Sequence, residues 1–340
     1  MRSGTKLPIQ RPSDTLYEDR TKPRYLTRMT PMTNLSYREI RDVASRHLIL
    51  SALFFLPKGK KIALERRLRG RQENAKLQEA DWALVSWGKS GRTWFRVMLS
   101  RFYQLHYALE TDYMLEFDNF HALNPAAPKV LFSHNNYIRD HYNHGDDLAQ
   151  YRGKKLVLLV RDPRDVAVSQ YFQWSYRMRP RKKALNAYPP HGSEVAIYDF
   201  VRNPDCGIPR IVAAFNAWAR SLPELGADVL VVRYEDLRRD PAEVLRQVVS
   251  FTGVDPDPAH IEAAKDYAAY ENMKKREAAN EGMRGSGQRV KPGDESNPDS
   301  FKVRRGKVGG YRDYFTPEEV AVVDGLVEGK LDPVFGYNAG

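Results

Sequence analysis

The chain has 340 residues, 42% of them apolar, enough for one large α/β domain or two small ones with a sizeable core. A single cysteine, Cys206, excludes an internal disulfide and a cysteine-built metal cluster. Of the net charge of +11, residues 1–75 carry 17 Lys/Arg against 7 Asp/Glu, while residues 76–340 hold 37 against 36, so the fold proper is nearly neutral; this argues against a nucleic-acid-binding fold and for a basic, partly helical extension (1–75) on a domain at 76–340, the extension facing an anionic surface or substrate.

Residues 1–34 are polar and rich in Pro, Thr and Arg, and read as irregular chain. Residues 36–56 read as a helix, with Ser36 as cap and Glu39 three residues on; its end, Leu48 to Leu56, is apolar nearly all round, and Pro57 stops it. Cations flank it: Arg41 and Arg46 before, Lys58, Lys60 and Lys61 after. Two readings stay open: a helix packed on the core with a solvated basic face, the commoner case, or an interfacial helix on an anionic membrane. No apolar stretch reaches the length of a membrane span and no apolar run follows Met1 closely, so the sequence predicts a cytoplasmic protein, with peripheral attachment to the inner face of the membrane under the second reading.

Trp82 to Val85 read as a buried strand, Ser86 to Thr93 as a turn, and Trp94, Val97, Met98, Leu99 and Phe102 recur at helical spacing. Strand, small-residue turn with a lysine, helix is the build of a phosphate cradle. The helix start offers N–H groups and a favourable dipole, Gly88 and Gly91 let the backbone approach, Lys89 brings a mobile charge, and Ser90 and Thr93 bring hydroxyls. An ordinary αβ turn fits so short a motif equally well, and the Walker A pattern is absent.

Further strands are expected at 129–132, ending near His134, at 154–160 and at 228–232. The second runs into Arg161, with Asp162 as N-cap and Pro163 in the first turn of a helix that carries Ser169. Residues 177–193 read as a basic loop, 194–222, 241–252 and 259–280 as helices, Arg233 to Leu237 as a charged turn, and 281–303 as a long polar loop of the kind that forms lids. A last helix starts near Thr316. This alternation predicts an α/β fold with a central parallel sheet, helices on both faces, and binding sites beyond the carboxyl ends of the strands.

Five segments, in order, resemble those of the sulfotransferases that use 3′-phosphoadenosine 5′-phosphosulfate (PAPS), which implies a P-loop-like nucleotide-binding fold. Lys89, Ser90, Gly91, Thr93 and Trp94 match the family's 5′-phosphosulfate loop, Tyr-Pro-Lys-Ser-Gly-Thr-Thr-Trp, with Gly88 in place of proline and Arg92 in place of threonine. Arg161, Asp165 and Ser169 match the 3′-phosphate motif. Tyr234-Glu235-Asp236 resembles a family Tyr-Glu-Asp segment, and Tyr267 to Lys274 resembles one that puts an aromatic, here Tyr270, on the adenine opposite Trp94; Ala268 replaces a threonine there. Arg304, Arg305 and Gly306 match the loop that closes on the 3′-phosphate. His134 stands where the family's Lys-Thr-His places its general base, with Phe132 at the lysine position and Arg92 as a substitute charge. The family's dimer segment is not kept, since Thr316-Pro317 and Ala321 replace its residues, and this leaves the oligomeric state open.

The resemblance implies in-line transfer of a sulfuryl group from PAPS to an acceptor hydroxyl, with His134 taking the proton, Lys89 and the cradle holding the leaving phosphate, PAP as product and no metal. Two alternatives stand beside it. A nucleotide kinase or NTPase needs Walker A and an acid at a strand end, where this chain has Arg161; a catalytically silent PAP-binding membrane adaptor has no use for His134 and Lys89. The basic stretch Arg177, Arg179, Arg181, Lys182 and Lys183 borders the acceptor pocket in the family's layout, which points to an anionic or large polar acceptor such as a cell-envelope glycan or glycolipid.

Overall fold

The computed structural model describes residues 37–142, 148–279, 283, 294, 296–301 and 306–338. Residues 1–34, most of the expected lid at 281–303, and Arg304 and Arg305 lie outside the described residues. Strands β1 (Trp82–Ser86), β2 (Val130–Ser133), β3 (Lys155–Val160) and β4 (Val229–Arg233) form one parallel sheet in the order β2-β1-β3-β4. Each is a nearly unbroken apolar run because both faces of the sheet are covered. In β3, Leu156, Leu158 and Val160 enter one core cluster, and Val157 and Leu159 enter the other. Pairing of Val85 with Ser133 and of Ser86 with Leu159 brings three strand ends to one edge. From β1 the sheet grows to β2 on one side and β3 on the other, so the end of β1 is the topological switch point where such sheets bind ligands.

The N-terminal region contributes α1 (Tyr37–Ala52) and α2 (Lys58–Glu79). Helix α1 ends at Ala52, four residues short of the expected stop, and the Leu53–Leu56 turn leaves Phe54 and Phe55 exposed. Arg46 ties α1 to α2 through Gln72, whose own amide donates to the carbonyl of Asp42 at 2.8 Å. Helix α2 runs across residue 75 into the core at Leu77. It packs so closely that a Cβ on Gly70 would lie 2.2 Å from the carbonyl oxygen of Tyr137, and Arg66 holds Asp140 and, at 2.6 Å, the carbonyl of Asn136.

Next come α3 (Arg92–His106), α4 (Asn119–Leu123) and α5 (Ile138–Tyr142), then after β3 the helices α6 (Pro163–Tyr176), α7 (Pro180–Leu185), α8 (Ile197–Arg202) and α9 (Ile208–Leu225). Asp162 caps α6 through the N–H of Arg164 at 2.9 Å, with Pro163 in its first turn, as expected. The stretch expected as a loop after α6 instead contains α7. Pro180 opens it, and Lys183 and Leu185 are buried. After β4 follow α10 (Tyr234–Arg239), α11 (Pro241–Phe251), α12 (Pro258–Tyr267), α13 (Tyr270–Ala279) and α14 (Pro317–Asp324). The charged turn expected at 233–237 is thus the start of a helix. Tyr234 and Leu237 bury one face, and Glu235 and Asp236 sit in the acid-favouring first turn. Thr316 and Glu319 cap α14 reciprocally, at 3.3 and 3.0 Å. Among the described residues no helix is long and apolar enough to cross a membrane.

Candidate active site

The turn between β1 and α3 is held open from behind. Gly91 has φ of 93°, and a Cβ there would meet the ring of Tyr234 at 2.6 Å, so only glycine fits. Lys89 also takes a left-handed conformation, with φ of 75°, a strain typical of binding loops. No side chain caps α3, whose N-terminus therefore presents its dipole to whatever the turn encloses. Arg161 leaves the end of β3 and staples the region. It donates to the carbonyls of Lys89 (3.3 Å) and Lys307 (3.2 Å), pairs with Asp165 (3.3 Å), and stacks 4.2 Å over the Tyr234 ring. Asp165 accepts the N–H groups of Gly309 (2.9 Å) and Tyr311 (3.0 Å). Burial nonetheless raises its carboxyl above the ordinary range, against the pull of Arg161 and those N–H groups. Ser169 is half-buried two turns into α6. The Ser90 hydroxyl and Arg161 Nε are buried without a partner among the described residues, two donors suited to anionic oxygens.

A second cluster joins Trp94, Arg238, Tyr270 and Gly306. Trp94 donates from its indole nitrogen to the carbonyl of Ala268 at 2.7 Å, a backbone contact that the missing threonine side chain does not affect. The Arg238 guanidinium lies 5.5 Å from the Trp94 ring and 5.7 Å from that of Tyr270. A Cβ on Gly306 would stand 3.3 Å from Tyr270 and 3.8 Å from Arg238. Sequence reading missed Arg238, because its segment read as a turn; as a helix, α10 sets it one turn after Tyr234 on the same face.

The third cluster surrounds His134. Its Nδ1 lies 2.8 Å from the carbonyl oxygen of Ser86; a carbonyl only accepts, so Nδ1 carries the proton and Nε2 the lone pair. Arg92 Nη2 donates to that lone pair at 2.7 Å, and Nη1 donates to the carbonyl of Ser133. Phe132 lies under the Arg96 guanidinium, 4.2 Å from the ring centre, and Arg96 is paired with Glu116 at 2.5 Å. The charge nearest His134 therefore comes from α3 and not from β2. Glu73 of α2 also reaches this cluster. Burial raises its carboxyl, while a hydrogen bond to Ser133 and the charge of Arg92 oppose the rise. Glu73 was missed because it lies in the stretch read as an extension. Gly88 leaves room for the side chain of Gln170, whose Oε1 lies 3.1 Å from where a Cβ on Gly88 would be; His134 Cε1 lies 4.0 Å from the same point.

The sulfotransferase domain family matches residues 79–334, a span that contains all three clusters except Glu73. The chain belongs to this family. Among curated sulfotransferases, cytosolic sulfotransferase 17 of Arabidopsis thaliana is 27% identical over 202 residues, covering 53% of this chain and 50% of that protein. Sulfotransferase 2A6 of Rattus norvegicus is 24% identical over 52% of this chain and 56% of its own length. The chain thus spans about half the length of these two relatives. The flavonol 3-sulfotransferase of Flaveria bidentis is 25% identical over 78% of this chain and 86% of its own length. A crystal structure of a mouse sulfotransferase complexed with PAP aligns with 19% identity and a TM-score of 0.47, over 75% of this chain and 87% of that one.

The cations beyond α6, expected to border an anionic or large polar acceptor, have partners within the protein. Arg177 binds the carbonyl of Ser300 at 2.7 Å and lies 3.7 Å from Glu277. Arg181 pairs with Glu65 at 2.8 Å. Lys183 is buried 4.8 Å over the Trp174 ring, and Arg179 and Lys182 also interact within the protein. Of these, Arg181 fastens α7 to α2 through Glu65.

Proposed function

We propose that the chain transfers a sulfuryl group from PAPS to an acceptor hydroxyl and releases PAP. The observation that carries this reading is His134, fixed in one tautomer by Ser86, with its lone pair turned toward Arg92 beside the start of α3. Arg92 turns from His134 to the sulfonate oxygens when the nucleotide is bound, which frees Nε2 to take the acceptor proton. An unperturbed imidazole, with a pKa near about 6.5, is suited to that task at neutral pH. Lys89 and the N-terminus of α3 hold the leaving phosphate, and loss of one such donor typically costs about 10²–10³ in rate. Ser90 and Arg161 each keep a buried donor for anionic oxygens, as a nucleotide phosphorylated at both ends requires. Trp94 and Tyr270 flank the base, and Arg304, Arg305, Gly306 and Ser169 complete the 3′-phosphate site. PAP is expected to bind at least tenfold more tightly than ADP, about one charge-assisted hydrogen bond's worth. Calorimetry measures this, and equal affinities would remove the 3′-phosphate site. [³⁵S]PAPS incubated with extracts of the source cell identifies the labelled acceptor, and a protein that labels nothing would fit the silent adaptor.

A second observation supports attachment to an anionic membrane face and, with it, a glycolipid or glycan acceptor. Leu48, Phe54 and Phe55 are 73%, 78% and 68% exposed, and Lys58 and Lys60 stand exposed beside them. Apolar side chains with adjacent cations suit the boundary of an anionic leaflet. The protein is expected to pellet with phosphatidylserine vesicles and not with phosphatidylcholine vesicles, and to lose this in high salt or as Leu48→Ser/Phe54→Ser/Phe55→Ser. Pelleting that ignores all three changes would reject the attachment.

A further inference from the structure

A pocket of about 500 Å³ lies between α6, α7 and the segment that leads into α8, and none of its lining residues belongs to the three clusters above. Its size is that of a small-molecule site. Trp174 and Ser175 of α6 and Lys183 of α7 are buried or half-buried there, while His191 and Glu194 stand exposed where the chain approaches α8. Lys183 is 3% exposed. Lysines are seldom buried so far unless a carboxylate pairs with them. None does so here among the described residues, Glu194 of the same pocket included, and burial alone lowers the lysine below its ordinary value. Its ammonium faces the Trp174 ring at 4.8 Å, and a ring face offsets only part of the cost of taking a charge out of water. The hydroxyl of Ser175, in the same pocket, is buried without a hydrogen-bond partner.

The chemistry of these groups narrows what the pocket takes. An ammonium and a hydroxyl can both donate, and together they call for an anionic group. Tyr171 and Tyr176, which also line the pocket, call for an apolar body beside it. One lysine offsets one charge, and Glu194 at the rim repels a second, so the group is a carboxylate or a sulfate ester rather than a phosphate monoester. We propose that this pocket binds an organic monoanion, its charged end on Lys183 and Ser175 and its apolar body against Tyr171 and Tyr176, at a site separate from the one assigned to PAPS. The proposal does not rest on the transfer reaction, and no transfer assay enters its test.

The probes are 2-naphthoate and 2-naphthyl sulfate, compared with 2-naphthamide, 2-naphthyl phosphate and inorganic sulfate. Calorimetry gives the affinities, and NMR of the Trp174 indole N–H and of the His134 ring tells this pocket from the neighbourhood of His134. At least one of the two monoanions is expected to bind and to move Trp174 but not His134, and the tighter of them names the charged group. The amide, the phosphate ester and inorganic sulfate are each expected to bind about tenfold or more weakly, the range of one charge-assisted hydrogen bond. Lys183→Met, similar in length and uncharged, is expected to erase the preference for the anion over the amide. It is also expected to melt no lower than the parent, because it removes a buried charge. Ser193→Phe fills the pocket from its rim and leaves the lysine in place; it is expected to lose binding while melting within a few degrees of the parent, and it decides the matter if Lys183→Met does not fold. Binding of neither monoanion, amide, phosphate ester or inorganic sulfate bound as tightly as the monoanions, a shift of His134 in place of Trp174, a preference that survives Lys183→Met, or binding that survives Ser193→Phe would each overturn the proposal.

Discussion

The two halves of the proposed site are built differently. On the nucleotide side, Arg161, Asp165, Tyr234 and Gly91 lock one another: Tyr234 forbids a side chain at residue 91, Arg161 stacks on Tyr234, and Asp165 fastens the 309–311 segment to α6. On the acceptor side, His134 meets the carbonyl of Ser86 and Arg92, with Glu73 brought in by α2. The first half keeps most of the residues of the motifs it resembles, with Ala268 in place of a threonine. The departures that face His134 are Gly88 and Arg92, at the edge of the cradle, and Phe132. A rigid donor site beside a more adjustable acceptor site is the arrangement expected when the co-substrate is fixed and the acceptor varies.

The sharpest way to separate the halves is His134→Ala. It is expected to lower transfer by about 10²–10⁴ while PAP binding stays as in the parent; more than about a tenth of the rate remaining would rule out a general base. Lys89→Ala is expected to impair both transfer and PAP binding. Next in size, Arg161→Ala removes the staple of the nucleotide half. PAP affinity is expected to fall roughly 10–100-fold, the range of a charge-assisted hydrogen bond, with adenosine 5′-phosphosulfate affected less because it lacks the 3′-phosphate. An equal loss for both ligands in calorimetry would place Arg161 elsewhere. The smallest effect is expected from Glu73→Gln. Its carboxyl titrates higher in the folded chain than in the unfolded one, so the stability it lends is complete below the ordinary value near 4.5 and is lost as pH rises through the raised one. The variant is therefore expected to melt a few degrees above the parent at neutral pH, the gap closing in acid. A gap that is the same at both pH values would mean that the carboxyl is not the cause.

The proposed nucleotide half is the more legible in the sequence because its candidate residues stand in short, ordered motifs. The strand-to-turn junctions at 86 and 160 announce themselves by apolar runs that stop abruptly at small or charged residues. The acceptor half was less so. Glu73 enters from a helix that composition assigned to an extension, since a +10 excess over residues 1–75 does not reveal that α2 presses Gly70 onto the backbone of Tyr137. The nearness of Gln170 to Gly88, 82 residues away, is of the same kind, since local periodicity carries no such pairing. The cations at 177–183 are hard to read for the opposite reason: sequence counts charges but not their partners, and Glu65 and Glu277, which pair with Arg181 and Arg177, are distant in the chain.

Arg164 places a constraint on how the protein is made. It is buried in the first turn of α6, and besides Asp162 it relies on Asp324, at 2.8 Å, and on the carbonyl of Tyr337, which leave the ribosome 160 and 173 residues later. Asp165 likewise waits for Tyr311, 146 residues downstream. A nascent chain whose sheet is already translated must therefore hold a cation and a carboxylate in its interior without their final partners. Nucleotide capture is expected to follow release of the chain rather than accompany synthesis, and the interval before it is when this protein is most dependent on chaperones.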